Sequence, residues 1–403
     1  MMTTIRRRAA AALFVRVVRV FRHVPSLFLT SCLLLAACGG VGEEGTGIQP
    51  ASASVGMVQG LSDTSVTVNG VSYAQSAATV SDGFGQPMAK EDLRLGMWLE
   101  VQGTVDASGT LGVAQTIRVR PAARGVVSAK GVGGLSLTVF DSTVNLDNGT
   151  VLDGTPDAAS LAPGDLVEVH GPLSSVAGDV SASRVEKLHP MPQATPSYEL
   201  RGRVSLLDNA LHTFTLGRRT IDYGGATITL RQALADGQIV RVSAAAAPVP
   251  GSAWAVGKLT SDLALPDNLG FLYTEGFVES LQSGPVFELE GLAVDASSAS
   301  GKAGVTADGL RVAVVGALVN GKLKAKAVAV VQPGEPVVFS LSGPVTDFVS
   351  PALFRLRGVS IDASGATYIA PASPAALADA VRLRVKGTVL GRRLIASQVE
   401  LSP

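Results

Sequence analysis

The stretch Leu99–Val119, LEVQGTVDASGTLGVAQTIRV, decides the fold of this chain. Two runs of alternating apolar and polar residues are joined by a polar turn, and this period of two is typical of half-buried β-strands. A similar stretch, LRVKGTVLGRRLIASQVEL, returns at Leu383–Leu401. Each contains a glycine late in its first run and closes on Ala-x-x-Ile or Ala-x-x-Val. We therefore predict that one β-unit is copied along the chain.

Five copies of this unit can be traced. Each opens with a Gly-x-Val strand, and the five glycines lie 69, 77, 74 and 67 residues apart, at Gly56, Gly125, Gly202, Gly276 and Gly343. The second and third strands also share a frame, which reads SVTVNGVSYAQSAATV (65–80), SLTVFDSTVNLDNGTV (136–151), TFTLGRRTIDYGGATI (213–228), VFELEGLAVDASSASG (286–301) and LFRLRGVSIDASGATY (353–368).

Glycine marks two further places in the unit. Asn69-Gly70, Glu290-Gly291 and Arg357-Gly358 supply the positive φ angles that tight hairpin turns require. A second glycine is predicted to end the fourth strand, where it would suit a bulge or a sharp barrel corner. It is found at Gly103, Gly171, Gly316 and Gly387, with Ala244 in its place in the third copy.

Five strands in about 70 residues, with a short helix or loop between strands three and four, match an OB-like barrel. The predicted fold class is all-β, with five tandem small five-stranded OB-like barrels; a plain five-stranded sandwich is the alternative. A unit of this size is marginal alone, so neighbouring copies are expected to pack together. A fully extended line of five would reach on the order of 140 Å, and a folded-back array would be shorter.

The N-terminus has the layout of a secretory signal. A basic stretch, Arg6–Arg22, precedes the apolar segment Leu27–Ala37, which has the size of a signal h-region and is short for a membrane span. The only cysteines are Cys32, inside that segment, and Cys38. After processing no thiol would remain for a disulfide, a zinc site or a nucleophile.

The end of the apolar segment, Leu35-Ala36-Ala37-Cys38, resembles the lipobox of bacterial lipoprotein signal peptides. The resemblance implies that cleavage leaves Cys38 as the first residue and that lipid is attached to it. Gly39 stands where the usual inner-membrane retention signal has Asp, which implies the outer membrane. An ordinary signal peptide or a buried cysteine is the alternative.

The repeats also resemble a family of bacterial domains of unknown function that occur in tandem in proteobacterial envelope lipoproteins. The resemblance covers about residues 55–403 and is clearest in the first copy, through TVNGVSY, LGMWLEVQG and GTLGVAQTIRV. It is weaker in the third copy. It implies a fold and a location and brings no activity with it.

These signals predict seven segments. They are a lipoprotein signal peptide (1–37), a lipidated Cys with a flexible tether (38–54) and five barrel repeats (55–122, 124–190, 199–266, 273–333 and 338–403). Pro-rich joints are expected between repeats.

The charge balance argues against a nucleic-acid partner. Residues 1–37 hold six arginines and no acid, so the remaining chain has 27 basic and 33 acidic residues. Binding to phosphates needs clustered Lys and Arg.

Motifs for catalysis or metal binding are weak. The histidines beyond residue 38 are His170, His189 and His212; none has a metal-ligand spacing, and we expect exposed or turn positions. The stretch from Asp141 to Asp157 is rich in Asp and Asn, which could hold Ca²⁺ weakly but are ordinary turn residues. No Gly-x-Ser-x-Gly elbow points to a hydrolase, and GVGGLSL (131–137) is predicted to be a hairpin turn. Catalytic residues, metal ligands and cofactors are therefore predicted to be absent.

The aromatic residues are too scattered for a stacking platform, and we expect them to fill cores. They include Tyr73, Phe84, Trp98, Tyr223, Trp254 and Tyr368.

The sequence thus predicts a non-catalytic lipid-anchored protein of the bacterial cell envelope, with a barrel array that acts as a scaffold or interaction module. Its expected partners are the membrane, through the anchor, and an envelope protein or glycan. The alternative is a periplasmic receptor for a small ligand or glycan in a cleft between repeats; an enzyme ranks third. An interaction array should keep similar exposed faces in several copies, whereas a receptor should have one unusual cluster of polar and aromatic residues.

Overall fold

The computed structural model describes residues 51–174, 177–188, 197–332 and 335–402. Within these ranges the regular structure is β-strand and single-turn 3-10 helix, and α-helix does not occur. The predicted signal peptide, the lipobox (Leu35, Ala36 and Ala37) and Cys38 lie outside the described residues.

Short β-strands follow one another along the whole described chain. The first repeat has β1 (Ala51–Leu61), β2 (Ser65–Val68), β3 (Val71–Ala74), β4 (Thr79–Ser81), β5 (Trp98–Val105) and β6 (Leu111–Val119). The second has β7 (Ala123–Lys130), β8 (Ser136–Val139), β9 (Ser142–Asn145), β10 (Val151–Asp153), β11 (Leu166–His170), β12 (Val180–Ser181) and β13 (Arg184–Lys187).

The remaining three repeats continue the same series. The third has β14 (Tyr198–Asp208), β15 (Thr213–Leu216), β16 (Arg219–Asp222), β17 (Thr227–Thr229), β18 (Ile239–Ala244), β19 (Trp254–Ala255) and β20 (Lys258–Ser261). The fourth has β21 (Leu269–Gln282), β22 (Val286–Leu289), β23 (Leu292–Asp295), β24 (Arg311–Val319) and β25 (Lys322–Val330). The fifth has β26 (Val338–Ser350), β27 (Leu353–Leu356), β28 (Val359–Asp362), β29 (Thr367–Tyr368), β30 (Arg382–Leu390) and β31 (Arg393–Leu401).

One pairing order closes each repeat into a small barrel. In the first, β1 pairs with β2 and β5, β2 with β3, β3 in parallel with β6, and β5 with β6. The corresponding strands of the fourth repeat, β21 to β25, pair in the same way. The prediction of an all-β fold built from small repeated barrels is confirmed, while the number five rests on strand pairing alone.

The predicted segment between the third and fourth strands of a repeat corresponds in the first repeat to the segment between β3 and β5. It holds a single 3-10 turn in four repeats. These turns are Lys90–Asp92, Ala158–Ser160, Lys302–Gly304 and Pro374–Ala376. A fifth turn, Val132–Gly134, lies in the β7–β8 hairpin, where GVGGLSL was predicted to turn.

Both glycine predictions can be checked at the backbone. Asn69 and Gly70 have φ angles of 52° and 77°, and the two equivalent predicted dipeptides also have positive φ. At Gly103 the β5–β6 register shifts, and a Cβ there would lie 1.9 Å from the carbonyl oxygen of Val113. The predicted bulge is therefore present. The strand does not end at this glycine, however, because β5 continues to Val105.

The first strand joins three repeats. Residues 52–55 of β1 pair in parallel with β21 of the fourth repeat, and residues 60–61 pair with β26 of the fifth. The array is thus folded back on itself. Ala51–Ser54, predicted as part of the tether, instead begin β1, because Ala53 and Val55 are buried in the apolar core of the fourth repeat.

The apolar cores follow this packing. One cluster combines the first and fifth repeats, a second combines the second and third, and a third belongs to the fourth repeat and the start of β1. The predicted core role of the aromatics is confirmed for the four that are buried, namely Tyr73, Trp98, Tyr223 and Trp254. The joint at 121–123 is not a free spacer, since Ala122 and Ala123 are buried.

The close approach at the bulge gives a direct test. We expect Gly103→Ala to lower the free energy of unfolding by about 1–3 kcal/mol or more, because the new methyl group collides with backbone. Gly225→Ala is the control, since its Cβ would meet no atom within 4 Å and its φ is not in the left-handed region. Urea denaturation measures both, and equal stability of the two variants would contradict the bulge geometry.

Candidate functional site: a buried polar junction

Only some of the residues singled out in the sequence lie in the part of the chain that the structure describes. Cys38, Leu35, Ala36, Ala37 and His189 lie outside the described residues. His212 is an exposed turn residue with a φ of 53°, as predicted, and its ring meets the edge of Tyr223. His170 contradicts its prediction, because it is completely buried.

His170 links the first two repeats. Its Nδ1 accepts a hydrogen bond from the backbone N–H of Trp98 at 3.2 Å, so Nε2 carries the proton. Nε2 donates to the Glu168 carboxylate at 2.8 Å. Ser183 of the second repeat makes a similar link, since its hydroxyl donates to the carbonyl of Gly96 at 2.7 Å.

Glu168 begins a row of charges that crosses three strands. On the outer faces of β11, β7 and β14, Arg124 stands directly opposite both Glu168 and Glu199. The Arg124 Nε donates to Glu168 at 2.8 Å, and its Nη1 lies 3.5 Å from Glu199. Opposite charges at facing cross-strand positions stabilise the pairing of β7 with β14, and with it the contact between the second and third repeats.

The centre of the junction is the carboxylate of Asp262, which directly follows β20. Three fully buried arginines surround it. Arg201 donates through Nε at 2.8 Å, Arg241 approaches through Nη2 at 3.2 Å, and Arg120 of the first repeat forms a third ion pair. Arg241 also donates to the carbonyl of Pro121 at 2.6 Å. One carboxylate therefore ties the first repeat to the third.

The fourth repeat joins the same network through Glu290, in the β22–β23 turn. Glu290 pairs with Arg201, and its other oxygen accepts the backbone N–H of Leu173 at 3.0 Å. Nearby, Arg203 pairs with Glu279 and, at 3.0 Å, with Glu288. Residues from the second, third and fourth repeats thus meet around one buried glutamate.

The fifth repeat is held at a separate, more exposed place. Asp63 of the first repeat pairs with Arg357 at 2.8 Å and with Arg382. This contact lies beside the short β1–β26 pairing.

Burial and pairing compete in the ionisation of the junction. Burial would raise the pKa of Asp262, but Arg120, Arg201 and Arg241 outweigh it and hold that pKa well below its usual range. Burial lowers the pKa of Arg201 to about 10, which keeps it charged at neutral pH. For Glu199 burial prevails over Arg124 and Arg241, and its pKa is raised.

The acidic stretch considered for Ca²⁺ is divided among separate contacts. Asp141 pairs with Arg219, Asp153 pairs with Arg184, and Asp157 caps a 3-10 turn through the Ser160 N–H. Across the described ranges, no group of three or more His, Cys, Asp or Glu residues is arranged to hold a metal ion. In the same ranges no helix is long and apolar enough to cross a membrane.

The junction residues were missed by sequence reasoning for a simple reason. Arg241 lies in the alternating run IVRVS, where Val240 and Val242 point into the barrel and the polar positions would normally face water. Here the second face is buried too, against other repeats. The available signal was the paired pattern of Arg and Glu at outward positions of β7, β11, β14 and β18.

The comparisons with known proteins agree with the repeat architecture. The family model "Domain of unknown function (DUF5666)" matches residues 55–118, 124–186 and 342–400, which lie in the first, second and fifth repeats. No curated protein matches the chain. Among solved structures, drosophila Unr CSD456 matches at 13% identity over 49% of this chain and 90% of that chain, with a TM-score of 0.15. A likeness at that score carries no argument about fold or function.

Removing the charge of Asp262 should lower the stability of the protein strongly. We expect Asp262→Asn to lower the free energy of unfolding by about 3–5 kcal/mol, because three buried arginines lose their shared partner. Asp267→Asn is the matched control: its side chain is 73% exposed, and its pair with Arg231 is worth about 1 kcal/mol or less. Urea denaturation measures the free energy of unfolding of both variants. Equal losses would contradict the central role of Asp262 in the junction.

Proposed function

We propose that this chain, which carries three DUF5666 domains, is a non-catalytic scaffold anchored by lipid in the bacterial cell envelope, at the outer membrane. The polar junction is the observation that carries this proposal. The buried acids and arginines of four repeats are paired with one another. Their charges hold repeats together and are not directed at a substrate.

A scaffold needs its binding faces at fixed distances. Here strand pairing joins β1 to β21 and β26, and β7 to β14, so neighbouring barrels are connected by backbone as well as side-chain contacts. Barrels held in this way present their outer hairpins in one constant arrangement, which suits simultaneous contact with more than one site on a partner.

Exposed aliphatic side chains near the first hairpin of three repeats support the interaction array. The first hairpin of the second repeat exposes Val132 and Leu135, that of the third exposes Leu206 and Leu211, and that of the fifth exposes Val349. Exposed aliphatic side chains at such turns favour contacts with protein partners. Nucleic acid is not part of the proposal, because acids outnumber bases beyond residue 37 and several arginines are buried in ion pairs.

The anchor follows from the lipobox. Several acyl chains attached at Cys38 would hold the protein durably at a membrane, since each buried CH₂ contributes about 0.8 kcal/mol. The residues between Cys38 and β1 would then set the distance between the membrane and the first barrel.

Crosslinking in intact cells tests the proposal. The tagged wild type should be found in the outer-membrane fraction with crosslinked envelope proteins. Cys38→Ala should move to the soluble fraction and lose those partners. Asp267→Asn is the control for substitution as such and should behave as wild type. If wild type and Cys38→Ala recover the same soluble partners in the same fraction, the anchored scaffold is wrong.

A further inference from the structure

The fourth strand of the fifth repeat has an exposed outer face, unlike the fourth strands of the other repeats. The fourth strands are β5, β11, β18, β24 and β30. In the first four, the residue that pairs with the position before the opening glycine of the repeat is buried; these residues are Glu100, Glu168, Arg241 and Ala313. The equivalent residue of β30 is Arg384, whose side chain is 44% exposed. One of these five equivalent positions in the described chain is therefore open to solvent.

Contacts with other repeats cover the buried positions of the first and third repeats. Glu100 accepts the backbone N–H of Ala264, in the third repeat, at 3.2 Å, and Arg241 donates to the carbonyl of Pro121, in the first repeat, at 2.6 Å. At the fifth repeat, β1 pairs with residues 340–341 of β26, while the outward residues of the neighbouring strand β30 are exposed or half-buried. The side of the barrel that docks in other repeats thus faces solvent here.

This surface, which we call the open face, is basic at one end. Alternate residues of a strand point to the same side about 7 Å apart, so β30 presents Arg382, Arg384 and Lys386 in one row. The acids beside the row are Asp63, which pairs with Arg382, and Glu400, which lies 3.3 Å from Arg384. By contrast, β5 and β11 contain no Lys or Arg, and β18 and β24 contain one each.

The other end of the open face is aliphatic. Val338 of β26 stands opposite Thr388 and is 61% exposed, and Leu390, two positions further along β30, is 60% exposed. Ile395 of β31 stands opposite Thr388 on the other side and is half-buried. The open face therefore consists of Arg382, Arg384, Lys386, Leu390, Val338 and Ile395.

This composition favours a lipid surface over a protein surface. Where barrels of this chain dock, an outward base meets a carboxylate, as Arg124 meets Glu199. The open face instead has bases at three successive outward positions, followed by aliphatic residues. Anionic phospholipid headgroups attract Lys and Arg, and aliphatic side chains enter the boundary between headgroups and acyl chains.

The charge of the whole fifth repeat has the same sign. Residues 338–403 contain seven basic and four acidic side chains, although acids outnumber bases in the chain beyond residue 37. The repeat with the open face is thus attracted to an anionic surface that would repel an acidic protein as a whole.

We propose that the open face binds a membrane surface that contains anionic phospholipid. The proposal relies on the proposed envelope location for access to such a membrane, but the contact does not need lipid at Cys38. The anchor and the open face give the array two attachments, which together fix its orientation on the membrane.

Vesicle sedimentation tests the open face in the absence of the anchor. The protein is residues 39–403, which keep every described residue and lack both the apolar signal segment and Cys38. It should bind vesicles of phosphatidylcholine and phosphatidylglycerol, mixed at about 2:1, about fivefold or more tightly than vesicles of phosphatidylcholine alone, because each base near an anionic surface contributes about fivefold. This preference should disappear at about 1 M salt, where the Debye length is about 3 Å.

Two substitutions locate the contact. Lys386→Glu should weaken binding to the anionic vesicles about fivefold or more. Leu390→Ser, which leaves the charge unchanged, should weaken it about threefold or more. Arg355→Glu is the matched control and should bind as the unsubstituted chain does. It makes the same change of charge on β27, where Arg355 is 45% exposed and pairs with Asp347 at 3.6 Å.

The proposal is overturned if the unsubstituted chain binds both kinds of vesicle equally, or if Lys386→Glu binds as Arg355→Glu does. It is also overturned if poly-L-glutamate binds the chain and the vesicles do not, because the open face would then be a docking surface for an acidic protein. None of these results bears on the lipid anchor, since the protein tested lacks Cys38; cell fractionation of Cys38→Ala tests the anchor separately.

Discussion

The ion pairs between Asp262 and the arginines 120, 201 and 241 are the interaction on which the rest of the structure depends. A charge buried among repeats is tolerated only with partners of opposite sign, and the partners here come from different barrels. Arg120 brings in the first repeat, and Arg201 extends the network to Glu290 of the fourth. The charges of these buried groups therefore depend on how the first, third and fourth barrels are placed relative to one another.

A polar junction costs more to bury than an apolar one, and the architecture explains why it is nevertheless present. Each barrel is small and has its own apolar interior, so an apolar outer face would expose the separate units to aggregation while they fold. Charge also selects partners. The third repeat, residues 198–266, has seven basic and five acidic side chains, whereas the second, residues 123–188, has four basic and eight acidic ones. We infer that this complementarity helps to fix which barrels dock.

The features that could be predicted from the sequence are local. Strand alternation, turn dipeptides such as Asn69-Gly70 and the bulge at Gly103 depend on neighbouring residues, and each is present in the structure. Features set by contacts between repeats could not be predicted. His170 was expected at an exposed or turn position, but the backbone N–H of Trp98 in the first repeat bonds its ring, and the residue is completely buried. Ala51–Ser54 were predicted to be tether, because their strand partner β21 lies in the fourth repeat, more than 200 residues away in sequence.

Small-angle X-ray scattering of the purified chain tests most directly whether the junction makes one body of the repeats. A single compact unit of this length should have a radius of gyration of roughly 20 Å. Barrels joined only by linkers in an extended line would give about twice that value. The smaller value, unchanged between low and moderate salt, is the predicted result; the larger value would contradict the account.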